Sequence, residues 1–194
     1  MSNNKLKIIF LGETSVGKSS IIKRYITGNF EELFISTIGA DFFDKTISIN
    51  DTKITLEIMD TCGQERYKSL SQNYIRNADG IIFVFDVTNT DSFNAIKKWL
   101  ITAEETETNF QKILVGNKID LKDLRLVLKE NMMDFAEKKN MKCFETSAKD
   151  NINIELIFKE IAELICINSP EKLEKISKSK QLGNSKSINK KKCC

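Results

Sequence analysis

Hydrophobic positions along this chain follow two alternating patterns, short apolar runs and longer stretches with helical spacing. The apolar runs predict buried strands at Lys5–Leu11, Gly80–Val87, Lys112–Val115 and, from a weaker run, Met141–Phe144. Alternation with a period of two on both sides of Asn50 and Asp51 predicts a hairpin of Asp41–Ile49 and Lys53–Met59. Spacings of three and four residues predict helices at Ser92–Glu105, Lys129–Lys139 and Asn153–Ile167, and another that carries Ile21, Ile22 and Tyr25.

The order of these elements, βαββαβαβαβα, predicts an α/β fold. Its sheet is expected to be doubly wound and mostly parallel, with six strands, one antiparallel hairpin and helices on both faces. We expect one domain over residues 5–168, with Pro170, the only proline, ending the last helix. Residues 169–194 are rich in lysine, serine and asparagine, so we expect a disordered basic tail.

Composition and charge restrict the possible chemistry. The absence of histidine excludes serine–histidine and cysteine–histidine nucleophile pairs and histidine metal sites. Five scattered and terminal cysteines form no disulfide framework, which favours a reducing compartment. From Glu171 onward, eight lysines and two glutamates give a charge of +6, so the net charge of +3 leaves −3 for the domain. A slightly acidic domain with a basic tail argues against nucleic-acid binding.

Residues Gly12 to Ser19 match the phosphate-loop pattern G-x-x-x-x-G-K-[ST], between a predicted strand and a predicted helix. Backbone amides of such a loop and the positive end of the following helix bind phosphate. The residues concerned are Ser15, Val16, Gly17, Lys18, Ser19 and Ser20. Lys18 adds a full positive charge, and the Ser19 hydroxyl is expected to ligate Mg²⁺. The alternative is an ordinary strand-to-helix turn that contains two glycines.

A second polar segment, Asp60–Glu65, follows the predicted strand that ends at Met59. Ligands of doubly wound sheets bind beyond the carboxyl ends of the strands. Asp60 is therefore expected to hold Mg²⁺ through water, Gly63 to offer its backbone N–H to a terminal phosphate, and Gln64 to orient an attacking water. The alternative is a polar loop without a ligand, since aspartate and glycine are common in loops.

Two further segments follow predicted strands, Asn117–Asp120 and Ser147-Ala148-Lys149. The Asp120 carboxylate can accept hydrogen bonds from N1–H and the exocyclic amine of guanine, whereas adenine offers neither at these positions. The wrong base would leave a buried carboxylate unpaired, which costs several kcal/mol, on the order of 10⁴-fold or more. The backbone of Ser147, Ala148 and Lys149 is expected to contact the base from the other side, although alone these residues indicate only a loop.

Together these motifs resemble those of the Ras superfamily of small GTPases and, within it, the Rab family, over about Lys5 to Ile167. The resemblance implies a P-loop NTPase fold of the G-domain type that binds GTP and GDP with Mg²⁺ and hydrolyses GTP. It implies that Thr37 ligates Mg²⁺ and senses the γ-phosphate, and that Phe30 stacks on guanine, unless Phe30 is a plain apolar anchor. Nucleotide-binding roles for Asn117 and Lys118, and catalytic roles for Lys18, Thr37 and Gln64, are implied in the same way.

The chain ends Lys190-Lys191-Lys192-Cys193-Cys194, which resembles a double geranylgeranylation site of Rabs and not a C-a-a-X box. Two lipids give a stable anchor, whereas one is marginal. We expect lipidation of Cys193 and Cys194, and a cytosolic pool beside protein on the cytoplasmic face of an endomembrane. The expected partners are effectors, an exchange factor, a GTPase-activating protein, a GDP-dissociation inhibitor and the prenylation machinery, and the G domain is expected to be monomeric.

Some positions depart from the family pattern. Met59 stands where Rabs usually carry a tryptophan, which forms an aromatic triad with Phe42 and Tyr74, and this leaves the identity of the effector open. Thr14 and Ser15 replace glycines of Ras, so their bulk is expected to hinder an incoming arginine finger. Two other functions stay open at this point, a P-loop kinase-like enzyme and a GTP-binding scaffold with negligible hydrolysis. The guanine motif argues against the first.

Overall fold

The computed structural model describes residues 5–31, 40–49, 51–61 and 68–169. These ranges contain a six-stranded sheet and five α-helices. The strands are β1 (Lys5–Leu11), β2 (Ala40–Ile49), β3 (Thr52–Thr61), β4 (Gly80–Asp86), β5 (Gln111–Asn117) and β6 (Lys142–Glu145). The helices are α1 (Lys18–Thr27), α2 (Lys68–Ile75), α3 (Thr90–Thr106), α4 (Lys129–Lys138) and α5 (Ile154–Asn168).

The strands lie in the order β2-β3-β1-β4-β5-β6. Only β2 and β3 are antiparallel, and every other neighbouring pair in the sheet is parallel. The predicted α/β architecture, with one hairpin at the edge of a doubly wound sheet, is therefore confirmed. Because β1 is central, the loops that follow β1, β3 and β5 open at the same edge of the sheet, where ligands of this architecture bind.

Two strands run beyond their predicted ends, β3 to Thr61 and β5 to Asn117. Asp60 pairs with Asp41 of β2, and Asn117 pairs with Asp86 of β4. The prediction that these two polar residues follow the strands is therefore wrong. A polar side chain does not stop the backbone from pairing. Because Asp60 and Asn117 belong to the strands, their side chains are held at the strand ends by a rigid element.

Helix α3 begins at Thr90, two residues before the predicted start at Ser92. The reason is a cap at its N-terminus, where the side chain of Asn89 accepts a hydrogen bond of 3.0 Å from the backbone N–H of Ser92. An Asn side chain in this position satisfies a helix N–H that would otherwise lack a partner. The cap therefore sets the start of the helix. The apolar spacing alone could not reveal this start, because Asn89 is polar.

Apolar residues on the two faces of the sheet form two separate cores. Along β1, Leu6, Ile8 and Phe10 pack with residues of α1 and α5, whereas Ile9 and Leu11 pack with residues of α2, α3 and α4. Successive side chains of a strand point to opposite faces, so a strand buried on both faces is apolar throughout. Helices on both sides therefore hold the sheet, and with it the site edge, in place.

The last helix ends at Asn168, two residues before Pro170. Pro170 and the tail lie outside the described residues, so the predictions of disorder and lipidation stay predictions. Among the helices of the described ranges, none combines the length and the apolar character that crossing a bilayer requires.

Candidate functional site

A cavity of about 330 Å³ opens at the edge of the sheet that carries the predicted motifs. Its volume lies within the range of small-molecule sites. Most of its lining was predicted from the sequence: Ser15, Gly17, Ser20, Phe30, Asn117, Lys118, Asp120, Ala148 and Lys149. Glu31 and Leu121 complete the wall, and neither was predicted. The fold thus brings the start of α1, the end of β5 and the loop after β6 to one cavity.

The phosphate loop joins β1 to α1, and Lys18 holds its curvature. The Lys18 side chain is buried, and its Nζ donates hydrogen bonds of 2.8 Å to the carbonyls of Gly12 and Glu13. Ser15 adopts a φ of 65° and Gly17 a φ of 96°. Backbone in this left-handed region turns successive N–H groups toward one side, which is the geometry of an anion-binding nest.

Both glycines of the loop are required by close approach. A Cβ at Gly12 would lie 2.1 Å from the carbonyl oxygen of Val84 on β4. A Cβ at Gly17 would lie 2.3 Å from Nδ2 of Asn117. Real Cβ atoms do not approach other atoms this closely, so the glycines let the loop rest directly on β4 and β5.

Asn117 connects the phosphate loop to the loop after β6. Its Nδ2 donates to the carbonyl of Val16 at 3.0 Å. Its Oδ1 accepts from Oγ1 of Thr146 at 3.1 Å and from the backbone N–H of Ala148 at 3.4 Å. The side chain is buried. The structure therefore assigns Asn117 a scaffolding role between two walls of the cavity, in addition to its place in the lining.

The Asp120 carboxylate is held in place by Ser147. The Ser147 hydroxyl is fully buried, donates to Oδ1 of Asp120 at 2.6 Å and accepts from the backbone N–H of Asp150 at 2.9 Å. The expected contact between the backbone of Ser147 and the base stays a prediction, and the structure adds that the Ser147 side chain contacts the residue expected to read the base. A fixed carboxylate loses little conformational entropy on binding, which favours selectivity.

Lys118 lines the cavity in a conformation that is uncommon for a residue with a side chain. Its φ is 69°, and its Nζ forms an ion pair of 2.7 Å with Oδ2 of Asp86 at the end of β4. Asp86 also accepts hydrogen bonds from the backbone N–H and the hydroxyl of Thr88. The ion pair fixes Lys118 against β4, and sequence reasoning did not identify Asp86 as its partner.

Asp60 lies at the end of β3, beside the start of the phosphate loop. The adjacent Thr61 hydroxyl donates to the carbonyl of Phe10 at 2.7 Å and ties β3 to β1. The Asp60 carboxylate is buried. Within the described ranges, no cluster of three acidic, cysteine or histidine side chains is suited to hold a metal alone. A carboxylate and a serine hydroxyl are hard oxygen donors, a set that suits Mg²⁺ when phosphate and water supply the remaining ligands.

Two further contacts of the site were missed by sequence reasoning. The indole Nε1 of Trp99 on α3 donates to Oε1 of Glu13 in the phosphate loop at 2.9 Å. Arg24 on α1 reaches the carbonyls of Ala148 and Lys149 in the loop after β6. Trp99 lies on the apolar stripe of its helix and is indistinguishable in sequence from a core residue, because only the fold shows where its N–H points.

Several predicted site residues lie outside the described residues: Thr37, Gly63, Gln64, Cys193 and Cys194. Of the triad expected from the family pattern, Phe42 and Met59 are directly opposite each other on β2 and β3. Phe42 is 58% exposed, whereas Met59 is 3% exposed and belongs to a core. Methionine at this position therefore packs in the core and offers almost no surface of its own.

Comparison with known proteins agrees with this geometry. The profile of the Ras family matches residues 7–167. The chain is 43% identical over 169 residues to Ras-related protein Rab-3A of Homo sapiens, covering 87% of this chain and 77% of that protein. It is 42% identical to Rab-3C of Bos taurus, with coverages of 87% and 74%. Rab-10 of Diplobatis ommata is also 42% identical, with coverages of 86% and 84%.

Proposed function

Because this chain belongs to the Ras family, as a Rab-like small GTPase that hydrolyses GTP and regulates membrane traffic, we propose that the cavity described above is its guanine nucleotide site. The observation that carries the proposal is the Asp120 carboxylate, fixed by Ser147 at 2.6 Å in the wall of a cavity whose other end is the phosphate loop. Asp120 accepts from N1–H and the exocyclic amine of guanine, and Phe30 stacks on the base.

At the other end of the cavity, the phosphate loop binds the nucleotide phosphates. The loop amides and the N-terminus of α1 supply partial positive charge, and Lys18 supplies a full charge. The buried position of Lys18 and its hydrogen bonds to Gly12 and Glu13 support this role. A charge already oriented before binding needs little reorganisation when phosphate enters, which strengthens its effect.

The donor set at this end of the site fits Mg²⁺. We propose that Ser19 and Thr37 would hold it directly and that Asp60 would hold it through water. When bound, Mg²⁺ neutralises charge on the β- and γ-phosphates. The position of Asp60 supports this assignment, because its carboxylate is a hard oxygen donor at the end of β3, which the Thr61 hydroxyl ties to Phe10 of β1.

The catalytic part of the proposal concerns residues outside the described ranges. Gln64 orients the attacking water, and Gly63 and Thr37 contact the γ-phosphate. Loss of the γ-phosphate then frees the segments around Thr37 and Gln64, so that partners selective for one state dissociate. Single-turnover phosphate release tests this assignment, because Gln64→Leu is expected to slow hydrolysis while GTP affinity stays nearly unchanged. Equal rates in both proteins would favour a scaffold with negligible hydrolysis.

The division into domains is part of the proposal. Residues 5–168 form the G domain, and residues 169–194 form a basic tail that carries lipids on Cys193 and Cys194. The tail contains eight lysines, and three of them directly precede the cysteines. Each lysine near an anionic leaflet contributes about 1 kcal/mol, so the two lipids are expected to dominate membrane binding. The protein then lies on the cytoplasmic face of an endomembrane and keeps a cytosolic pool.

The proposed partners follow from this arrangement. An exchange factor and a GTPase-activating protein regulate the nucleotide state, effectors bind the GTP form, and the prenylation machinery and a GDP-dissociation inhibitor handle the tail. The exposed ring of Phe42 on β2 supports effector contact along this strand. Fractionation of cells that express a Cys193→Ser, Cys194→Ser variant tests the membrane part. If that variant stays on membranes, the anchor lies elsewhere in the chain.

A further inference from the structure

We propose that Arg24 is the residue that positions the part of the cavity formed by Ala148 and Lys149, here called the base wall, and thereby sets the rate at which guanine nucleotide dissociates. This inference rests on the proposed assignment of the cavity as the guanine nucleotide site. Arg24 lies in the last turn of α1 and does not line the cavity itself. It therefore acts through the residues that do line it.

The first contact of Arg24 is with the loop after β6. Its Nε donates to the carbonyl of Ala148 at 2.8 Å, and its Nη2 donates to the carbonyl of Lys149 at 2.6 Å. These are successive residues, and both line the cavity. The planar guanidinium presents parallel donors in a fixed fork, so it holds two adjacent carbonyls in one relative orientation.

The same guanidinium also supports the opposite wall. Its Nη1 donates to the carbonyl of Gly28 at 2.7 Å, and its Cζ lies 5.7 Å from the centroid of the Phe30 ring. A guanidinium at this distance from an aromatic ring is attracted to it. One side chain therefore joins the wall formed by Ala148 and Lys149 to the segment that carries Phe30.

Helix α1 links this base wall to the phosphate end. Lys18 begins the helix and Arg24 follows six residues later, which corresponds to about 9 Å along the axis. A cation in the last turn is also favoured by the negative end of the helix dipole. One rigid helix thus holds both ends of the cavity: Lys18 holds the phosphate loop, and Arg24 holds the loop after β6.

Lysine cannot replace Arg24 in this role. An ammonium group keeps the charge, but it is a single donor centre on a flexible stem and cannot span the carbonyls of Ala148, Lys149 and Gly28 together. Loss of the fork frees the loop that carries Ser147, which orients Asp120. The expected consequence is faster release of guanine nucleotide with poorer alignment of the base, whereas the phosphate loop is unaffected.

The test is dissociation of fluorescently labelled GDP and IDP from the full chain carrying Arg24→Lys or Arg24→Gln. IDP lacks the exocyclic amine, so the ratio of the two dissociation rates measures how well Asp120 is aligned. Both variants are expected to release GDP about tenfold faster, which is equivalent to the loss of one charged hydrogen bond. The ratio of the IDP and GDP dissociation rates is expected to move closer to one. The control is Lys97→Gln, which removes one positive charge from the exposed face of α3, and it should match the wild type.

Two outcomes would overturn the inference. One is a GDP release rate equal to that of the wild type in both Arg24 variants. The other is an increase of the GDP and IDP dissociation rates by the same factor, because a purely structural role of Arg24 predicts that both nucleotides are held less tightly. If Arg24→Gln does not fold, the milder Arg24→Lys decides the question alone. A wild type that holds ADP as long as GDP would instead reject the proposed function of the cavity, so the two failures can be told apart.

Discussion

Replacing Gly17 by alanine should destabilise the protein much more than the same change at Gly28. Both residues have a left-handed φ, 96° at Gly17 and 76° at Gly28, and a side chain there costs roughly 1–2 kcal/mol. A Cβ at Gly28 meets nothing within 4 Å, whereas a Cβ at Gly17 would lie 2.3 Å from Nδ2 of Asn117. Gly28→Ala is therefore a matched control for the backbone effect.

The additional cost at Gly17 follows from the hydrogen bond that must break. Asn117 has to move, and its buried Nδ2 then loses the carbonyl of Val16 at 3.0 Å. An unsatisfied buried donor costs about 1–3 kcal/mol, so the total for Gly17→Ala is roughly 2–5 kcal/mol. The gain from a stiffer unfolded chain is the same for both alanines and cancels in the comparison.

The free energy of unfolding of both variants is measured by urea titration at two GDP concentrations. The ligand contribution depends on RT ln(1 + [L]/Kd), so the second concentration separates folding from nucleotide binding. The expected result is a clearly larger loss of unfolding free energy in Gly17→Ala than in Gly28→Ala. Equal losses in the two variants would refute the claim that close contact with Asn117 requires a glycine at position 17.

Three further predictions concern the loop, the core and the metal. Trp99 is the only tryptophan and binds Glu13, so its emission should change on nucleotide release, and Glu13→Ala should abolish most of that change; a response of unchanged size would argue against the contact. Burial, aided by the Glu155 carboxylate, raises the pKa of Tyr25 from 10.0 to about 12. Stability from the neutral phenol is therefore fully present below pH 10 and lost toward pH 12, and Tyr25→Phe should flatten this decline in denaturant titrations. An equally steep decline in that variant would show that another group is responsible. Ser19→Asn should reduce the effect of EDTA on nucleotide exchange, because it removes a hydroxyl ligand; undiminished sensitivity would remove Ser19 from the metal site.

The order of the elements and the location of the site could be predicted from the sequence, because both depend on local patterns. Apolar runs mark the strands, and the glycines and Lys18 mark the phosphate loop within a few residues of one another. In a parallel sheet, the ends of strands such as β1 and β5 then meet at one edge whatever the details of packing. Local pattern and chain topology were therefore sufficient to identify most residues that line the cavity.

Contacts between the loops could not be predicted in this way. Asn117 meets Thr146 because β5 and β6 are paired in one particular register, with Gly116 opposite Glu145. That register depends on side-chain packing across the sheet, which no single segment encodes. The same reason applies to Arg24, whose partners Ala148 and Lys149 are more than a hundred residues away in sequence.

The central claim is that the cavity reads guanine through Asp120, and competition binding of GTP, ATP and XTP tests it most directly. The wild type should prefer GTP over ATP by a factor on the order of 10⁴ or more. Asp120→Asn should weaken GTP and strengthen XTP, because an amide can donate to the O2 of xanthine. Wild-type protein that binds ATP as tightly as GTP would contradict the account, as would an Asp120→Asn variant with the base preference of the wild type.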